Sequence, residues 1–172
     1  MTTPPIKFRK AVEVLARHHV DFIVVGGFAA VLEGAPVSTF DLDIVPERSP
    51  ENISRLIAAL REMKSVYRDP AGRRIQPKAS LLAGPGHNLL VGIFGPLDVL
   101  GTIGRQLGWK ELLPRSHQLK TGKLRFRVLD LEAVIDTKEQ AGREKDLASL
   151  PILRKTLELR RNLERPGKSP PD

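Results

Sequence analysis

FIVVGGFAAVLEGAPVSTFDLDIV, running from Phe22 to Val45, decides how this chain is read. Phe22 to Val25 form a short apolar run that Gly26-Gly27 ends abruptly, and a second apolar run from Phe28 to Leu32 stops at Gly34 and Pro36. That order predicts a buried strand, a glycine turn and a short helix. In Phe40-Asp41-Leu42-Asp43-Ile44 the apolar and acidic residues alternate. A strand's period of two puts Phe40, Leu42 and Ile44 on one face and both carboxylates on the other. Two carboxylates side by side repel unless a positive group stands between them, and a hard cation such as Mg²⁺ takes carboxylate oxygens together with substrate phosphates. A glycine turn, lacking Cβ atoms, lets a phosphate approach backbone N–H groups at the start of a helix. Singly, these features also fit an ordinary turn and a solvated strand face; in this order they point to phosphate chemistry.

Two later segments extend the pattern. Leu89 to Phe94 and Leu97 to Leu100 read as strands around a Gly95-Pro96 turn, and Asp98 is a lone acid in the second. If that strand lies beside the first acidic one, Asp98 joins Asp41 and Asp43 in a three-carboxylate site able to hold two metal ions; otherwise it is an acid at a strand end. On a helix from Asp130 to Ala141 the apolar face is Leu131, Val134 and Ile135, and Lys138 falls on that same face. A lysine there either snorkels to water or reaches a triphosphate. Arg143 repeats the anomaly on the side of Leu147 and Leu150.

Gly26-Gly27, thirteen intervening residues and Asp41-Leu42-Asp43 together resemble the signature of the nucleotidyltransferase superfamily with the DNA polymerase β type of fold. Within it the chain is most similar to small bacterial nucleotidyltransferases related to AbiEii toxins, over roughly Val12 to Leu153. The resemblance implies an α/β (α+β) fold, with a short mixed sheet flanked by helices and a helical C-terminal portion. It also implies metal-dependent transfer of NMP from an NTP to an acceptor hydroxyl. Mg²⁺ or Mn²⁺ would sit on Asp41, Asp43 and Asp98, and Asp98 would help deprotonate the acceptor. Gly26, Gly27, Ser38 or Thr39, and Lys138 would hold the phosphates. DLEAVIDTKEQAGREKDLASL resembles the family's late Lys…Arg-x-Lys-Asp motif, which carries over Lys138, Arg143, Lys145 and Asp146. Implied partners are the nucleoside triphosphate, an acceptor (RNA such as tRNA, a protein or a small molecule), and an antitoxin protein if the chain is the toxin of a pair. The chain departs from many relatives at Val37, where they carry a basic residue, and at Phe40, where they carry a charged one. Ser38 and Thr39 can still bind a phosphate oxygen or cap the turn. The departure keeps a second class open: a catalytically degenerate module of the same fold that binds nucleotide or RNA.

The rest of the chain reads as scaffold. A single domain is expected over residues 1–163, with a core at about 20–101, a hairpin and C-terminal helices at about 109–163, and a flexible tail at 164–172. An amphipathic helix spans Ile6 to His19, after a disordered start at Met1–Pro5, and another begins at Ser49-Pro50 and ends near Met63. Residues 66–83 read as a weak strand or two with loops. Their Arg68, Arg73, Arg74 and Lys78 fit either a nucleic-acid path or a solvated loop. His117 to Val128 reads as a hairpin, and Pro151 is expected to separate two final helices, the second ending near Leu163. There are 28 basic and 20 acidic residues, a net charge of +8, which favours polyanionic partners. No cysteine is present, which excludes disulfides and cysteine-based zinc sites. No apolar run approaches the ~18 residues of a membrane span and the first residues do not form a signal peptide, so a cytoplasmic location is expected.

Overall fold

The computed structural model describes residues 6–165. The segments expected to be disordered or flexible, 1–5 and most of 164–172, lie outside the described residues. Seven strands form one mixed sheet: β1 (Phe22–Val25), β2 (Leu42–Pro46), β3 (Val66–Tyr67), β4 (His87–Gly92), β5 (Gly95–Leu100), β6 (Ser116–Thr121) and β7 (Leu124–Leu129). Their spatial order is β3-β4-β5-β2-β1-β7-β6. Helices flank it: α1 (Phe8–Arg17), α2 (Gly26–Leu32), α3 (Pro50–Glu62), the short α4 (Ala79–Leu82) and α5 (Trp109–Leu112), α6 (Leu131–Ala141) and α7 (Glu144–Leu163). The chain is therefore an α/β protein with a mixed sheet and a helical C-terminal portion. No helix among the described residues is long and apolar enough to cross a membrane.

The centre of the sheet is β1, β2 and β5. β2 runs antiparallel to β1 and parallel to β5, and β1 runs parallel to β7. All four residues of β1 are buried, which is why it reads as an unbroken apolar run rather than an alternation. In β2 the alternation holds: Leu42 and Ile44 are wholly buried and pair with Leu97 and Val99 of β5. Asp43 and Asp98 are thereby turned to the opposite face. The start of α3 follows its sequence signal, with the Ser49 hydroxyl accepting the Asn52 N–H and Pro50 at the first position. α6 packs on α2 and α7, which brings the C-terminal helices against the turn that follows β1.

Three local expectations are corrected, and residues 66–83 hold a helical turn beyond the weak strand expected there. Phe40 does not join Leu42 and Ile44 in the core: β2 begins at Leu42, and Phe40, ahead of it, is 68% exposed. The β4–β5 turn is centred on Ile93-Phe94, because Gly95 and Pro96 already pair with Gly92 and Val91. Pro96 is tolerated in β5 since pairing with β2 starts only at Leu97, so its missing N–H leaves no ladder bond unmade. Pro151 lies inside α7 without ending it. Leu150 and Leu153 anchor the helix in the core on either side, while Leu147, whose carbonyl loses its donor, is on an exposed stretch. The 66–83 region holds one two-residue strand, β3, and the one-turn helix α4.

Candidate active site

The acidic residues meet because β2 and β5 are parallel neighbours in a register that sets Asp43 directly beside Asp98. Asp41 lies two residues before Asp43, at the entrance to β2. A row of side chains crosses this face. Val25 of β1 pairs with Asp43, Leu89 of β4 pairs with Asp98, and the Arg68 N–H donates to the Leu89 carbonyl at 2.9 Å. Arg68 reaches across Leu89, its Nη2 donating to Asp98 Oδ1 at 2.7 Å and its Nη1 to Asp41 Oδ1 at 3.4 Å. Asp43, beside Asp98 in register and two residues after Asp41, receives no hydrogen bond from the described residues.

The glycine turn is shaped around that carboxylate. Gly26 has φ +65°, and a Cβ there would come within 2.4 Å of Asp43 Oδ2. A Cβ on Gly27 would stand 2.8 Å from the Thr39 hydroxyl. Both positions require glycine, the first for its backbone conformation and for space, the second for space. No side chain caps the first turn of α2. Thr39 Oγ1 donates to the Asp41 carbonyl at 3.1 Å, fixing the approach to β2. Val37 packs against the core, so the place of the expected basic residue is taken by an apolar contact.

Electrostatics follow from burial. The Asp43 carboxyl is pushed up to about 7, first by burial and then by the neighbouring charges of Asp98 and Asp41, with Lys138 and Arg143 opposing. Asp98 is also raised by burial, and Arg68 works against the rise. Lys138 and Arg143 are aimed by a third residue: Asp146, buried in α7, accepts from Lys138 Nζ at 3.2 Å and from Arg143 Nε at 2.6 Å.

Two cavities open on this constellation and share Asp43, Asp98, Lys138, Arg143 and Asp146 as a common wall. The larger, about 530 Å³, adds Gly27, Ser38, Thr39, Asp41 and Lys145. The smaller, about 330 Å³, adds Gly26, His87, Leu89, Thr102 and Ile103. His87 is held there with Nε2 at 2.9 Å from the Thr102 carbonyl.

No family model matches this sequence, and no curated protein matches it. A solved structure of a candidate nucleotidyltransferase from Thermotoga maritima is similar over 92% of this chain and 91% of its own, at 19% sequence identity and a TM-score of 0.49.

The donor set suits a hard divalent cation: three carboxylates, one of which, the partly buried Asp43, has no counter-charge in contact among the described residues. Yet no three such side chains among the described residues stand closely enough to hold a metal as they are. The Arg68 guanidinium occupies the span between Asp41 and Asp98. All the residues read from sequence as candidates, Gly26, Gly27, Ser38, Thr39, Asp41, Asp43, Asp98, Lys138 and Arg143, line one or both cavities. Sequence reasoning missed two neighbours. Arg68 looked like one of several basic loop residues, and only the β3–β4 pairing reveals its reach; His87 carried no signal at all.

Proposed function

We propose that the chain is a metal-dependent nucleotidyltransferase that moves NMP from an NTP to an acceptor hydroxyl and releases pyrophosphate. The observation that carries this reading is the in-register pair Asp43 and Asp98, with Asp41, at the junction of two cavities. Asp41, Asp43 and Asp98 would hold Mg²⁺ or Mn²⁺, which when bound neutralises charge on the phosphates and on the oxygens entering and leaving phosphorus. In the larger cavity, Gly27, Ser38, Thr39, Lys138 and Lys145 offer donors and positive charge to a triphosphate. Asp146 holds Lys138 and Arg143 toward the shared wall, so their orientation precedes substrate binding.

The smaller cavity then receives the acceptor. Its hydroxyl oxygen bonds to the α-phosphorus as the bond from that phosphorus to the pyrophosphate oxygen breaks, and its proton passes to Asp98. Burial raises the affinity of Asp98 for a proton, which suits it to that role. A cavity of about 330 Å³ admits one nucleotide or one side chain rather than a duplex. The net charge of +8 favours a single-stranded RNA end such as that of tRNA over a protein or small-molecule hydroxyl. A cytoplasmic toxin restrained by an antitoxin protein is the cellular setting consistent with this chemistry.

One observation favours a second reading. The Arg68–Asp98 contact already neutralises part of the acidic site, as expected of a module that binds nucleotide without turnover. Incubation with each of four α-³²P-labelled NTPs, Mg²⁺ or Mn²⁺, and lysate RNA or protein separates the two. Label that enters an acceptor with wild type and not with Asp98→Asn supports transfer; NTP binding with no labelled acceptor favours the module.

A further inference from the structure

Among the described residues, Arg68 is the one cation in direct contact with two of the three acids. Its position follows from the sheet, since β3 is an edge strand and the residue after it aligns with Leu89, one strand away from Asp98. The aliphatic stem crosses the half-exposed Leu89, and the guanidinium ends at Asp98 and Asp41. A third of the Arg68 side chain remains exposed, so a path to water is open on its outer side. A guanidinium bridging two carboxylates and a divalent cation bridging the same carboxylates exclude one another by volume and by charge.

We propose that Arg68 is a positioning residue of the reaction site, a resident counter-cation that holds Asp41 and Asp98 together until a divalent metal displaces it. This rests on the metal-dependent reading above. Arg68 keeps the two carboxylates from separating under their mutual repulsion, and in doing so it weakens metal affinity. A metal ion bound between these carboxylates must first break the charge-assisted contacts of Arg68 to the buried Asp98 and the partly buried Asp41, with the exposed side of the guanidinium leaving it a way out to water.

The test is Mn²⁺ binding, followed by the electron paramagnetic resonance signal of free Mn²⁺ and by calorimetry, in wild type, Arg68→Met and Arg68→Lys, without nucleotide. Arg68→Met keeps most of the stem and loses the charge, so its dissociation constant should fall by about tenfold, corresponding to one charge-assisted contact no longer broken. Arg68→Lys, a single point charge without the fork, should lie between the two. Thermal melting supplies a second readout. Metal-free Arg68→Met should melt below wild type, and saturating Mn²⁺ should close the gap, whereas a purely structural role leaves the gap in place. Equal or weaker Mn²⁺ binding in Arg68→Met overturns the proposal while leaving the metal site standing. If Arg68→Met does not fold, the lysine variant decides by the same criterion. Absence of Mn²⁺ binding in the wild type overturns both this proposal and the metal-dependent reading.

Discussion

Two of the charge clusters among the described residues lie on different sets of elements and are built in opposite ways. In the first, Glu33 at the end of α2 is almost completely buried, yet every part of it is satisfied. Its carboxylate accepts from Arg160 Nη1 at 2.7 Å and from the Leu131 N–H at 3.3 Å, and it lies 3.0 Å from His117 Nε2. The other ring nitrogen of His117 lies 2.6 Å from Asp130. This cluster ties α2, β6, α6 and α7 together. In the second, three carboxylates converge with one contacting guanidinium, and Asp43 has no partner of its own among the described residues. A cluster that closes on itself has nothing left to bind with. One that leaves a partly buried carboxylate unpaired has a site that an incoming cation or a proton can satisfy.

The largest expected effect breaks the comparison in one step. Asp43→Asn and Asp98→Asn should each lower nucleotidyl transfer by about a thousandfold or more; Asp43→Asn should do so while melting at or above the wild-type temperature, because it removes repulsion and breaks no ion pair, whereas Asp98→Asn also gives up its contact with Arg68. Glu33→Ala should do the reverse. Its loss should cost about 2–3 kcal/mol in urea unfolding, with turnover per folded molecule unchanged. A Glu33 variant inactive while fully folded would show that the two clusters are not separable. Next in size is Lys138→Met, expected to raise the KM for NTP about tenfold with a smaller change in kcat, since Lys138 faces the cavity assigned to the phosphates.

The sequence exposed more of the second cluster than of the first. Asp41, Asp43 and the glycine turn are neighbours in the chain, and Asp98 and Lys138 each break an apolar pattern locally, so the anomaly is visible without knowing the fold. The strands that carry the acids were legible for the same reason, as was the Ser49-Pro50 helix start. Glu33, His117 and Arg160 break no pattern, because each sits where a polar residue is unremarkable, and their contacts span up to 127 positions of sequence. Arg68 is hidden in the same way: its partners are set by strand pairing. Phe40 misled because the alternation starts ahead of the point where β2 begins. Pro151 misled because a local helix breaker was outweighed by tertiary anchoring at Leu150 and Leu153.

The pH dependence of stability sharpens the comparison most, because its main readout needs neither nucleotide nor metal. The folded-state carboxyl of Asp43 is raised to about 7 from an ordinary value of 3.8. Between those values the native state holds a proton that the unfolded chain has released, so unfolding free energy falls as pH rises through the window. Above about pH 7 the full penalty is present, and below about pH 4 it vanishes. Urea unfolding in the presence of a chelator should therefore show a decline from pH 4 to 7 that Asp43→Asn lacks. At pH 8 the variant should be more stable than wild type by on the order of 2 kcal/mol. Mn²⁺ should remove most of that advantage by supplying wild type with the positive charge that Asp43 lacks. The Glu33 cluster predicts no such gain from neutralisation, since Glu33→Gln discards contacts to Arg160 and His117. If Asp43→Asn gained nothing at pH 8 while Glu33→Gln did, the unsatisfied charge would lie in the other cluster, and the search for the site would move with it.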